Sequence, residues 1–110
     1  NRGKHHRDFT YIGDIFSLIN LLMIKKTKKH DVYNFCSNNP VDISKIVKKV
    51  KKLYPVKVKL RPLQRADIIK THGSNVKIIK KTNYKNFMKI FDGFETTLRW
   101  YKTNKIYKYR

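Results

Sequence analysis

At 110 residues the chain is long enough for one small domain with a modest core and no more. With 40% hydrophobic and 13% aromatic residues it is not a disordered tail, which would be too poor in such residues to bury a core. The formal net charge of +20 points toward nucleic acid or an anionic surface, yet only six of the 27 basic residues are arginines, and the lysines are spread without a single block, which reads as compositional bias rather than a binding stripe.

The chain opens Asn1-Arg2-Gly3-Lys4-His5-His6, with no methionine at the start and no patterned element ahead of it, so the C-terminal piece of a longer protein is expected. Arg7-Asp8-Phe9-Thr10-Tyr11-Ile12-Gly13-Asp14-Ile15 follows. Phe9, Tyr11 and Ile12 favour a short strand. Asp14 precedes Ile15, Phe16, Leu18, Ile19 and Leu22, which return at helical spacing, so Asp14 is expected to N-cap a helix over residues 14–24. The lysines of 25–29 then form a solvated loop. The apolar run 15–24 is far below the roughly 20 residues of a membrane span and lacks the position and cleavage site of a signal peptide.

Residues 31–36 read as a strand and Ser37-Asn38-Asn39-Pro40 as a turn. Cys36 is alone, which excludes a disulfide framework and suits a reducing cytoplasm. Asp42 or Ser44 caps a second helix, with Ile43, Ile46, Val47, Val50 and Leu53 on one face and lysines mostly on the other, a face read as solvated. Pro55 stops it. Val56-Lys57-Val58-Lys59-Leu60 alternates strictly and reads as a half-exposed strand. A polar loop covers 61–67, a short helix 74–81, and a last helix 86–103. Phe87, Phe91, Phe94, Leu98 and Tyr101 stripe that last helix as core, with Trp100 in the same packing. His5, His6, His30 and Cys36 fit no common metal spacing.

The opening run resembles the RDFTY-[IV]-x-D-[IV] segment of the extended short-chain dehydrogenase/reductase family, the NAD-dependent nucleotide-sugar epimerases and dehydratases, and among them most closely the UDP-glucuronate 4-epimerases. Four further segments resemble the same family in the same order. Tyr33 to Val41 is similar to YNIGxxNPV, Pro62 to Ile68 to PMQPGDV, Lys70 to Lys77 to xTHADxSK, and Lys80 to Tyr101 to the family's ending, with Tyr84, Gly93 and Trp100-Tyr101 in place. Leu63-Gln64 and His72 are closer to the uronate 4-epimerases than to the galactose type.

The resemblance implies an α/β fold. The chain would be a C-terminal fragment of an extended Rossmann-type enzyme: the last strand–helix units of its parallel sheet plus the small, mostly helical substrate-binding domain. It implies a reversible inversion at C4 of a UDP-sugar by transient oxidation with NAD. By the same resemblance Arg7 contacts the diphosphate, Asp67 accepts ribose hydroxyls, and Gln64 occupies the place of a second phosphate-contacting arginine. Arg65 stands where the family has proline and Ala66 where it has glycine, which reshapes the loop and lets Arg65 supply the missing phosphate contact. Gly13 replaces an Asp, and Gly73-Ser74 replaces Ala-Asp. Gly3, Gly13, Gly73 and Gly93 cannot make the family's G-x-x-G-x-x-G dinucleotide loop. The spacing of the catalytic Tyr-x-x-x-Lys recurs only at Tyr101 to Lys105, in the wrong place. No catalytic, cofactor or metal residue is therefore expected in this chain; NAD and catalysis belong to a Rossmann part outside it. Two other readings stand beside this one: the same part of a nucleotide-sugar dehydratase or decarboxylase, and a small basic nucleic-acid-binding protein with Tyr and Phe interspersed among its lysines.

Overall fold

The computed structural model describes residues 3–26 and 30–104. Its elements are β1 (His6–Arg7), α1 (Ile12–Met23), β2 (Val41–Asp42), α2 (Ile43–Leu53), α3 (Val76–Thr82) and α4 (Ile90–Thr103). Residues 27–29 of the lysine cluster and Lys105 of the Tyr-x-x-x-Lys spacing lie outside the described residues.

Helix α2 begins where its capping chemistry places it. Asp42 has extended backbone (φ −65°, ψ 125°), and its Oδ1 accepts the Ser44 N–H at 2.7 Å. Hydrogen bonds from the Ser44 side chain and then its backbone N–H hold the Asp42 carboxyl below its ordinary 3.8. Lys51 and Lys52 occupy the last turn, where cations meet free carbonyls.

Helix α1 starts two residues before the expected position. Tyr11 is its N-cap residue, without a side-chain cap, and Asp14 lies inside the first turn. Its carboxylate still opposes the positive end of the helix dipole. Its hydrogen bonds, however, come from Tyr84 and the Met88 N–H rather than from its own helix. The same contact delays α4 from the expected 86 to Ile90. Asn83 ends α3 in the left-handed region at φ 59°, and Met88 then reaches back to Asp14 before the helix begins.

The parallel Rossmann-type sheet expected above is not present among the described residues. They form one two-stranded antiparallel sheet, pairing His6 with Asp42 and Arg7 with Val41. On the other side of β1 an isolated parallel bridge joins His6 to Lys70, through His6 N–H to Ile69 O (3.0 Å) and Thr71 N–H to His6 O (3.1 Å). Residues 9–11, 31–36 and 56–60 form no strand. In the second of these, side chains replace a ladder. Asn34 Nδ2 donates to Ser74 O, Asn75 Nδ2 to Cys36 O, and Lys77 Nζ to Val32 O. In the third, the alternation is real, but Val56, Val58 and Leu60 are all exposed.

The core is small. Helix α1 packs on α3, and each supplies one fully buried apolar side chain, Leu18 and Ile78. On α4 the buried residue is Gly93, against the Tyr11 ring; Trp100 and Tyr101, expected in the core, are exposed. No described helix is long and apolar enough to cross a membrane.

Asp42→Ala is expected to lower the urea midpoint of α2 helicity at pH 7. Because the folded pKa of Asp42 lies below 3.8, its contribution is present above that pH and fades as pH falls through the folded value. Parent and variant curves should therefore converge in strong acid, which urea titrations followed by circular dichroism at pH 7 and pH 2 would check.

Candidate functional site

Arg7 lies on β1 with Val41 on one side and residues 69–71 on the other. Its Nη1 donates to His6 O at 2.9 Å and to Ile69 O at 3.4 Å. Neither described ion pair, Lys49–Glu95 or Lys77–Asp31, involves it. The guanidinium is thus anchored through one nitrogen on the backbone carbonyls of His6 and Ile69, the second of them two residues from Asp67. A guanidinium held this way keeps a planar set of donors suited to phosphate oxygens, and it cannot lose its charge.

Gln64 and Asp67 close the neighbouring turn on each other. The Gln64 N–H donates to Asp67 Oδ2 at 3.3 Å and the Asp67 N–H to Gln64 O at 3.1 Å. Both line a cleft of about 390 Å³ together with Lys59, Arg61, Val58 and Gly3. Asp67 is the only acid on that lining, beside two cations. Arg65 is exposed and does not line the cleft, and Arg7 approaches through the 69–71 register rather than through the lining. The structure therefore brings Gln64 and Asp67 together, places Arg7 beside the segment that follows them, and leaves Arg65 outside.

The residue that sequence reasoning missed is Asp8. Its Oδ1 accepts the Ser37 hydroxyl at 2.6 Å; its Oδ2 accepts the Asn38 N–H at 3.1 Å and the Gly73 N–H at 3.2 Å. Its own N–H donates to Thr71 Oγ1 at 3.3 Å. His72 Nε2 and Asn38 Oδ1 lie 2.7 Å apart across the same junction. One carboxylate thus joins the 37–38 turn to the 71–73 segment. Gly73 is required there: a Cβ on it would stand 2.7 Å from Cys36 Sγ. Burial, and then the nearby Asp8 charge, push the half-buried Cys36 thiol up. The signal available in the sequence was an acid beside an arginine ahead of a loop rich in Ser, Asn and Gly, which needs an acceptor for its N–H groups.

Asp14 plays the matching part for the chain's last third. It is buried, accepting the Tyr84 hydroxyl on Oδ1 at 2.7 Å and the Met88 N–H on Oδ2 at 3.0 Å. Burial first, and then this hydrogen bond, raise the Tyr84 phenol above its ordinary 10.0. The four glycines lie apart, Gly3 against Ser44, Gly73 against Cys36, and Gly13 and Gly93 on either side of Tyr11. They do not form a dinucleotide cradle. Among the described residues no three His, Cys, Asp or Glu side chains gather as a metal site.

No family model matches the chain, and no solved structure matches it. An uncharacterized protein of Methanocaldococcus jannaschii is 31% identical over 107 residues, which is 96% of this chain and 32% of that protein. The chain thus spans about a third of the length of the relative it matches.

A raised folded pKa at Tyr84 means that its contribution is intact below pH 10.0 and is lost as pH rises through the folded value. Tyr84→Phe is expected to lower the urea midpoint at pH 8 and to flatten its decline between pH 9 and 11, which paired unfolding curves at those pH values would check.

Proposed function

We propose that this chain forms the substrate side of an NAD-dependent nucleotide-sugar 4-epimerase and binds the diphosphate and ribose of a UDP-sugar, UDP-glucuronate or UDP-galacturonate. The observation that carries the reading is the cleft at residues 58–67. It holds Gln64 and Asp67 with the cations Lys59 and Arg61, and the anchored guanidinium of Arg7 lies beside Ile69 in the segment that follows it. A diphosphate needs fixed cationic donors, and ribose hydroxyls need an acceptor; this corner has both. Four of the five segments that resemble the family are joined to one another by two carboxylates of the first. Asp8 ties the first to the second and the fourth, and Asp14 ties it to the last.

In this reading Arg7 neutralises diphosphate charge. Asp67, already oriented by the Gln64 N–H, keeps its other oxygen for a ribose hydroxyl. Gln64 offers its side-chain amide where a second arginine would add more charge. NAD supplies the transient oxidation at C4 in such enzymes, and no residue of this chain is assigned to hold it. Catalysis is assigned, by the same resemblance, to residues outside this chain. The isolated chain is expected to show no epimerase turnover and no heat of NAD binding.

Titration with UDP and UDP-glucuronate tests the reading. Both should bind in roughly the millimolar range, with amide shifts at Gln64, Asp67 and Ile69, while free glucuronate should not. Arg7→Ala should weaken UDP about tenfold or more, the loss of a charge-assisted contact of about 1.5–3 kcal/mol. If UDP shifts only the lysines of α2, and 0.3 M salt abolishes that response, the nucleotide-sugar reading fails in favour of plain polyanion attraction.

A further inference from the structure

Helices α2 and α4 run side by side in the same direction. Lys45, Lys48, Lys49 and Lys52 share a groove with Phe91, near the start of α4. Lys49 pairs with Glu95, and Lys102 Nζ lies 4.9 Å from the centre of the Tyr54 ring at the far end. The match thus advances on both helices together, from Lys45 beside Phe91 to Tyr54 beside Lys102. Side chains bridge an open seam. It holds a groove of about 330 Å³ along the four lysines. At its head lies a second groove of about 480 Å³, where Lys45, Lys89 and Phe91 meet His6 and Asn39.

Five of the 11 residues of α2 are lysines and none is acidic. The four in the groove recur at i, i+3, i+4 and i+7. Like charges therefore stand one turn apart over about 10 Å of helix, an arrangement that destabilises the helix by itself. In sequence this face reads as solvated; folding turns it toward α4 instead. No acid lines the four-lysine groove, and Lys45, Lys48 and Lys52 take part in neither described ion pair. Asp42 lines the head, with its Oδ1 already taken by the Ser44 N–H. The seam is also separate from the corner at Gln64 and Asp67. That cleft takes Ile43 and Val47 from the opposite side of α2.

We infer that the seam between α2 and α4 binds single-stranded nucleic acid, with its phosphates along the lysine row and a base against Phe91. The whole-chain charge does not carry this; four lysines around one ring do. A lone phosphate answers one or two of these lysines, whereas a strand brings a charge with every nucleotide. Phe91 selects within the polyanions. It is half-buried among the lysines, and an aromatic ring set in a basic groove is a platform on which bases stack. An acidic peptide brings charge without a base. A bilayer takes up apolar side chains from a protruding face, not from a groove. The site goes beyond the nucleotide-sugar reading and does not depend on it.

Binding of a labelled oligouridylate of about 12 nucleotides, followed by anisotropy against salt, tests the inference. The parent chain should bind it at roughly 1–100 μM near physiological salt, with a log–log salt slope near −3, about 0.7 for each of four phosphates. Lys48→Gln with Lys52→Gln should flatten the slope by about 1.4. Lys80→Gln with Lys85→Gln removes the same charge from exposed positions elsewhere and should leave the slope unchanged. Phe91→Leu should weaken oligouridylate about fivefold or more and leave linear polyphosphate unaffected. Acetic anhydride labelling of the parent chain needs no variant: oligouridylate should protect Lys48 and Lys52 but not Lys80 and Lys85. The inference is overturned if the two double variants act alike or if all four lysines are protected equally. It is overturned too if polyglutamate of matched charge or phosphatidylglycerol vesicles bind as tightly as oligouridylate, or if folded Phe91→Leu binds it unchanged. Should Phe91→Leu lose its helical circular dichroism, the labelling pattern decides.

Discussion

Two carboxylates in one nine-residue run hold the described structure together. On a chain with seven acids and 27 bases, Asp8 and Asp14 are not spent on lysines. They collect neutral donors instead: a serine hydroxyl and two loop N–H groups at Asp8, a phenol and one N–H at Asp14. Hydrogen bonds to a charged acceptor are about twice as strong as neutral ones, and each removes a donor that loop backbone would otherwise leave unsatisfied. The cost of placing a carboxylate inside is met by two or three directed donors rather than by a counter-ion. Surface pairs such as Lys49–Glu95 and Lys77–Asp31 add little by comparison, since both partners remain largely solvated.

This arrangement explains why so few apolar side chains are fully buried. Leu18 and Ile78 sit where α1 meets α3, but the loops are located by polar contacts. Cys36 and Gly73, Asn75 and the Cys36 carbonyl, and Asn34 and the Ser74 carbonyl bring the 31–38 and 71–75 segments together. Apolar burial of this extent is small for a stable domain, which usually depends on it as the dominant favourable contribution. The large side chains that a core would use are present and face outward, among them Phe16, Met23 and Trp100.

Local chemistry was the legible part of the fold. Asp42 as cap and the apolar face of α2 could be read because both depend on residues within one or two turns. The start of α1, the late start of α4 and the missing strands could not, because contacts over long separations decide them. Asp14 bonds Met88, 74 positions away, and Lys77 takes the Val32 carbonyl from 45 away. The alternation of 56–60 is a strand pattern, yet a strand needs a neighbour to pair with, and periodicity contains no information about one. Of the site, Gln64 and Asp67 were legible as a polar loop and do share a cleft, whereas the anchoring of Arg7 on the His6 and Ile69 carbonyls was not legible, because it depends on a segment 62 positions away. Arg65 was not, because an arginine in an exposed turn looks the same in sequence whether it faces a cleft or solvent. Asp8 was hidden by the arginine beside it: its partners lie near residues 37 and 73, and only the folded chain brings them together.

The same run also connects the cationic corner to α1. Arg7 stands at the edge of the cationic corner, and Ile12, five residues on, opens the apolar face of α1. Five residues of fully extended chain span at most about 18 Å. Between them Asp8 is fixed to two loops, and Tyr11 is wedged between Gly13 and Gly93, leaving the connection little freedom to lengthen or slip. The clamp at Asp8 and the wedge at Tyr11 hold the Arg7 guanidinium in place relative to α1 without an enclosing wall around it.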